Sequence, residues 1–324
     1  MILAAGLGTR MRPLSRLRAK AALPVLNRPL IQWTLERLAR DGVTDVIVNL
    51  HHLPDTVERA VGDPALLGLR VGYSRERTVL GTAGGPRKVR RFFGDEPCLL
   101  VNGDVAFDFD LRMLVRRHRA SGAQATLGLK ANPDPRGYGG VVTGRGGWVV
   151  AVAGLPRPRP GQPLLFTGVH VLDPALLDRL PSGPSDSVRD LYGPLLAAGG
   201  RILGVRLRGP WYDLGSPRRY LASHISMLAS GFGGRRRGSV VDPAARVHRD
   251  AKISRAVIGP GCSIGEGAVV QESVLWEGVR VGAGASVRRS VIADGVRIPD
   301  GASSSDRVIF EGPSGRIVDR EIGG

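Results

Sequence analysis

The sequence predicts an α/β domain built on a mostly parallel sheet, followed by a solenoid of hexapeptide repeats. Three observations carry this. Continuous apolar runs alternate with a helical stripe in the first 230 residues. A Gly-rich turn follows directly on the first apolar run. Beyond residue 239 aliphatic residues recur in steps of 6, 6 and 5.

The elements follow in chain order. Ile2-Leu3-Ala4 reads as a short strand entering the turn Gly6-Leu7-Gly8-Thr9-Arg10. Asn27-Arg28-Pro29 reads as a helix start, with proline in the first turn, and Leu30, Ile31, Leu35, Leu38 and Ala39 form the stripe that ends at Gly42. Val46-Ile47-Val48-Asn49-Leu50 and Cys98-Leu99-Leu100-Val101 are continuous apolar runs, the mark of strands buried on both faces. Strands alternating with helices give a parallel sheet that binds ligands at its carboxyl edge. Gly6 to Arg10 and Asp104 fall at such strand ends.

In the second half Val241, Val247 and Ile253 begin a series that runs through Ile258, Ile264, Val270, Leu275, Val281, Val287 and Ile292 to Ile298. The coil repeat is therefore 17 residues, and stacked triangular coils with inward aliphatics explain it. The domains are expected at 1–230 and 239–303, joined by a Gly/Arg linker at 231–238, with 304–324 as a tail that breaks the period and caps the coils loosely.

Composition excludes several classes. The apolar fraction is 42%, enough for a core, and no apolar run is long enough to span a membrane. The first residues lack the basic region of a signal peptide, so a cytoplasmic protein is expected. Cys98 and Cys262 form no metal or disulfide pattern and read as packing residues. His51-His52 are neighbours, which a strand would point to opposite faces, so a structural role is expected. The net charge is +17, but only Lys20, Lys88, Lys130 and Lys252 are lysines, and the arginines are scattered along the chain. That reads as composition rather than a nucleic-acid stripe, and neither nucleic acid nor membrane is expected as a partner.

Backbone N–H groups of a Gly-rich turn can cradle phosphate. The turn is neither a dinucleotide fingerprint, because Met11 stands where the third glycine belongs, nor a Walker loop. Its wider context is more specific. Leu3-Ala4-Ala5-Gly6-Leu7-Gly8-Thr9-Arg10-Met11-Arg12-Pro13-Leu14-Ser15, with Lys20 and Leu23-Pro24-Val25, resembles the signature of the sugar-1-phosphate nucleotidyltransferases, including mannose-1-phosphate guanylyltransferases. The resemblance continues in order through Leu80-Gly81-Thr82-Ala83-Gly84-Gly85, Asn102-Gly103-Asp104, Tyr138-Gly139-Gly140-Val141, Phe166-Thr167-Gly168-Val169 and Trp211-Tyr212-Asp213-Leu214-Gly215.

The resemblance implies a Rossmann-like nucleotidyltransferase domain with a mixed, mostly parallel sheet, then a left-handed β-helix. It implies transfer of a nucleoside monophosphate from an NTP to a sugar 1-phosphate, with Mg²⁺ as cofactor and a GDP-sugar such as GDP-mannose as the expected product; UTP- or dTTP-dependent transfer is the alternative within the class. Asp104 and Asp213 would hold the metal, and with Arg10 and Lys20 they form the expected catalytic set. Leu3, Ala4, Ala5, Gly6, Gly8 and Thr9, together with Arg10, Lys20, Gly81, Thr82 and Gly103, would bind the nucleotide. Tyr138, Gly139, Thr167 and Gly168 would line the sugar. The hexapeptide domain implies a homo-oligomer.

Two departures stand out. Many relatives carry Glu-Lys-Pro where this chain reads Gly154-Leu155-Pro156, so the lysine expected on the sugar phosphate is missing and Arg157 or Arg159 is the nearest cation. That loss leaves a catalytically silent, NDP-sugar-binding regulator as the rival reading. The chain also starts abruptly at Met1-Ile2-Leu3, where relatives usually carry several residues before the first strand, which leaves open a short first strand or a start upstream.

Overall fold

The computed structural model describes residues 1–135, 138–234 and 238–323. The chain divides into two compact units, one of residues 1–7 and 31–211, the other of residues 8–30 and 212–324. The predicted linker falls partly on 235–237, outside the described residues.

The first unit is a nine-stranded mixed sheet. Its strands are β1 (Ile2–Leu3), β2 (Asp45–Leu50), β3 (Arg70–Arg75), β4 (Cys98–Asn102), β5 (Ala125–Lys130), β6 (Gly140–Thr143), β7 (Val149–Val152), β8 (Leu164–Leu172) and β9 (Ile202–Arg206). The order is β7-β6-β8-β4-β1-β2-β3, with β5 paired to β8 and β9. β1, β2, β3 and β4 run parallel, Ile2 lying opposite both Val48 and Val101, and β8 runs antiparallel to β4, β5 and β6. The helices of this unit are α1 (Leu30–Arg40), α2 (Pro54–Val61), α3 (Gly81–Lys88), α4 (Leu111–Ser121) and α5 (Gly193–Ala197). The apolar run at 46–50 is buried at Val46, Val48, Asn49 and Leu50, as a strand covered on both faces should be.

The expected helix start at Asn27-Arg28-Pro29 is corrected. Arg28–Pro29 is a strand paired with Pro24–Val25 in a hairpin, and α1 begins at Leu30. Asn and Pro serve turns as readily as helix starts, and here Leu26 and Asn27 form the two-residue turn.

The second unit carries the hairpin, helix α6 (Pro217–Ser230) and a left-handed parallel β-helix. Every aliphatic position of the 17-residue series lies in a strand. Val241, Ile258, Leu275 and Ile292 stack on one face, Val247, Ile264, Val281 and Ile298 on the second, and Ile253, Val270 and Val287 on the third. Those from Ile258 to Ile298 are buried inward and make the core of the solenoid. The first coil is uncovered, with Val241 43% and Val247 37% exposed. The tail does not loosen where the spacing first fails. Ser303–Ser305 continues the third face, Ile309 pairs with Ile292, and Arg307–Glu311 turns back on Ile317–Glu321 as an antiparallel hairpin. Ser304 stands where an aliphatic residue was expected, which hides this coil from the pattern. Among the described residues no helix is long and apolar enough to cross a membrane.

Candidate functional site

In the first unit the predicted nucleotide segments converge on the carboxyl ends of β1 and β4. The Gly103 N–H donates to the Leu3 carbonyl (2.9 Å), joining the Leu3–Ala5 segment to the Asn102-Gly103-Asp104 turn. The Ala4 N–H donates to Asn49 Oδ1 (2.7 Å), Asn49 Nδ2 donates to Glu76 Oε1 (2.8 Å), and Glu76 Oε2 accepts the Leu80 N–H (2.9 Å). This buried chain ties the end of β1 to the start of α3 at Gly81-Thr82. Gly81 has φ +77°, and a Cβ there would stand 2.6 Å from the Ser185 carbonyl; only glycine fits that entry. Thr82 Oγ1 donates to Asp186 Oδ2 (3.2 Å) and accepts the Ser187 N–H (2.8 Å).

Asn49 and Glu76 escaped the sequence reading. The signal for the first was present, a lone amide inside an apolar strand. Glu76 lies 27 residues away, and nothing local announces it as the partner.

The predicted sugar residues are also drawn together. Tyr138 packs edge-on against Trp211 with ring centres 6.0 Å apart, and Trp211 Nε1 donates to the Thr167 carbonyl (2.9 Å). The Thr167 hydroxyl is buried and donates to the Gly128 carbonyl (2.8 Å). Gly168, φ +77°, leaves room for the Asn102 side chain, whose Nδ2 would lie 2.6 Å from a Cβ. Tyr138 and Gly139 line a cleft of ≈ 350 Å³ whose wall also includes Gly154, Pro158 and Arg159. Arg159 is the cation on this wall, while Leu155, the residue at the position of the missing lysine, packs toward Gly193.

In the second unit Gly8 opens a 3₁₀ turn over Thr9–Met11, and its carbonyl accepts from the Met11 N–H (2.8 Å) and from Ser15 Oγ (2.7 Å). Arg10 is exposed; Lys20, half-buried, opens the third 3₁₀ turn of this stretch, over Lys20–Ala22. Asp213 Oδ2 pairs with Arg219 Nη1 at 2.7 Å, and its carbonyl accepts from Ser223 Oγ (3.0 Å). Both partners ride on α6, whose N-cap Ser216 accepts the Arg219 N–H (3.3 Å).

Asp104 in the first unit and Asp213 in the second each offer carboxylate oxygens, the donor type that a hard cation takes. Among the described residues no three or more His, Cys, Asp or Glu side chains cluster as a metal site. His51 turns its Nδ1 to the Glu76 carbonyl (3.0 Å), a structural bond. Cys98 and Cys262 are buried, which pushes their thiols up to about 12 and about 11, so both are packing residues and not nucleophiles.

A Rossmann-like mixed sheet, with the Leu3–Ala5 and Gly103-Asp104 segments joined at the ends of its parallel strands, precedes a parallel β-helix in this chain. The chain belongs to the Nucleotidyl transferase family, which matches residues 1–230, and residues 237–311 match the GMPPB C-terminal domain. It is 33% identical over 255 residues to a mannose-1-phosphate guanylyltransferase of Mycobacterium tuberculosis, covering 78% of this chain and 68% of that protein. It is 32% identical over 235 residues to a UTP–glucose-1-phosphate uridylyltransferase of Synechocystis, covering 68% of this chain and 61% of that one. The chain thus spans between three fifths and about two thirds of the length of these curated relatives. The crystal structure of HddC from Yersinia pseudotuberculosis shares the fold, with a TM-score of 0.59 at 20% identity over 68% of this chain and 96% of that chain.

Proposed function

We propose that this protein transfers a nucleoside monophosphate from an NTP to a sugar 1-phosphate in the cytoplasm, with GTP as donor and a GDP-sugar such as GDP-mannose as product. The observation that carries the reading is the convergence of Leu3–Ala5, Gly81-Thr82 and Gly103-Asp104 at one sheet edge, braced by Asn49 and Glu76. The guanylyl preference draws on the guanylyltransferase relative and the match of residues 237–311 to the GMPPB C-terminal domain.

In this reading an oxygen of the sugar phosphate attacks the α-phosphorus, the bond to the bridging oxygen breaks, and pyrophosphate leaves. Both reactants are anions, so catalysis consists of alignment and charge neutralisation. Leu3–Ala5, Gly81 and Thr82 hold the base; Gly6, Gly8, Thr9, Arg10, Lys20 and Gly103 hold the phosphates. Tyr138, Gly139, Thr167 and Gly168 shape the sugar side, with Arg159 as the cation on the cleft wall. Asp104 and Asp213 would hold Mg²⁺, which when bound neutralises phosphate charge.

The test is a matrix of four NTPs against several sugar 1-phosphates, reading pyrophosphate. GTP with mannose 1-phosphate should give the highest turnover. Asp104→Asn should lower it by orders of magnitude, and Arg159→Ala should raise the KM for the sugar phosphate while sparing that for the triphosphate. No pyrophosphate from any pair would sink the proposal in favour of a silent NDP-sugar-binding regulator.

A further inference from the structure

We infer that the β-helix sets the working shape of the Gly8–Leu30 strip, with Arg18 as the positioning residue through which one corner of the solenoid holds Lys20. The inference rests on the reading of Lys20 as a phosphate cation.

The strip has little to support itself. It consists of three-residue 3₁₀ turns at Thr9–Met11, Leu14–Arg16 and Lys20–Ala22, then the short hairpin. Short 3₁₀ turns have poor hydrogen-bond geometry. The hairpin is strained as well. Leu26 and Asn27 have φ of 49° and 64°, the paired left-handed conformation of a type I′ turn, and a buried leucine is a poor occupant of it. Such a conformation persists only where the surroundings over-determine it.

The surroundings are α6 and the solenoid. His224 Nε2 accepts the Leu26 N–H (3.3 Å) while its Nδ1 donates to the Tyr220 carbonyl (2.8 Å). The Tyr220 hydroxyl donates to the Pro24 carbonyl and accepts from Trp276 Nε1 (3.1 Å). Asn27 Nδ2 donates to the Ile258 carbonyl of the solenoid (2.7 Å).

Two residues before Lys20, Arg18 makes the second attachment. Its Nη2 lies 2.7 Å from Asp294 Oδ2 and 3.9 Å from Glu277 Oε2, and its guanidinium carbon sits 5.4 Å from the centre of the Trp276 ring. Glu277 and Asp294 are 17 residues apart, the same place in successive coils. Consecutive coils thus form a rigid acidic and aromatic corner that fixes the chain entering Lys20. Asp294 Oδ1 also accepts the Glu277 N–H (3.1 Å), which aims the carboxylate.

The test uses the full-length chain. Asp294→Asn keeps the acceptor for the Glu277 N–H and removes the charge facing Arg18. It and Arg18→Ala are compared with Arg18→Lys, with Lys20→Ala, and with Arg289→Ala, whose ion pair to Asp306 lies elsewhere on the solenoid. Turnover is read with the best pair from the substrate matrix, and hydrogen exchange of the 8–23 peptides is read without ligand. Asp294→Asn and Arg18→Ala should each lower kcat about tenfold, the scale of a small misplacement of reacting groups. They should speed exchange in 8–23, leave exchange in 263–292 unchanged, and move the melting temperature no more than Arg289→Ala does. Arg18→Lys should recover most of the turnover, and Arg289→Ala should keep it. Unchanged kcat and exchange in Asp294→Asn and Arg18→Ala, with Lys20→Ala inactive, would overturn the positioning role and leave the functional reading standing. Full turnover in Lys20→Ala would instead remove the functional reading on which the inference rests. Equal losses in Arg289→Ala would reduce the effect to general destabilisation and overturn it too.

Discussion

At the scale of single residues, His224 shows how the fold selects a protonation state. Burial pushes its imidazole down to about 4, and its Nε2 must stay unprotonated to accept the Leu26 N–H. The sign follows from linkage. The unfolded chain takes up the proton near 6.5 and the folded chain only near 4, so the unfolded state binds more protons between those values. The contribution is complete above pH 6.5 and is lost as pH falls, at about 1.4 kcal/mol per pH unit. His170, pushed down to about 3 by burial, and His118, lowered by the same cause, act in the same direction. His224→Gln removes one of these sites. Urea unfolding between pH 7.5 and 4.5 should show a stability advantage of wild type over His224→Gln that shrinks with acid. An advantage constant with pH would mean that His224 does not titrate with folding.

At the scale of elements, the join between β1 and α3 is the point of greatest leverage. Glu76→Ala strips acceptors from two donors, Asn49 Nδ2 and the Leu80 N–H. Leaving buried donors unmet costs about 1–3 kcal/mol. Urea titration should find a loss near the upper end of that range, and kinetics should find a raised KM for the triphosphate; a variant unchanged in both would show the join to be dispensable. What the sequence disclosed at this scale follows from periodicity. The buried strands at 45–50 and 98–102 were legible as continuous apolar runs, and the solenoid coils through Ile298 by their one spacing rule. The hairpin at 24–29 was not, because asparagine and proline serve both turn and helix start. The last coil was hidden by Ser304, and the Asn49–Glu76 pair by a separation of 27 positions along the chain. The motif residues were legible as types, but their side-chain directions were not; the Thr167 hydroxyl bonding to Gly128 inside the sheet is the clearest instance.

At the scale of the whole molecule, many arginines find local partners at the surface, as in Arg70 with Asp45, Arg119 with Glu96 and Arg289 with Asp306. Exposed pairs of this kind contribute little individually, so salt should affect solubility more than stability. The 17-residue coil has a different consequence. Each coil advances the stack by one strand spacing, about 4.8 Å, so the solenoid is a ruler with marks at Ile258, Trp276 and Asp294. Duplicating residues 259–275 after Leu275 preserves every stacking partner yet slides two of those marks one division along. Duplicating a coil after Ile298 leaves all three marks where they are. Pyrophosphate release should collapse in the first and persist in the second, with circular dichroism showing both folded; equal activity in the two would mean the ruler is not read. Lineages carrying this architecture should therefore vary in length by whole coils at the far end only, while the span from Ile258 to Asp294 keeps its count.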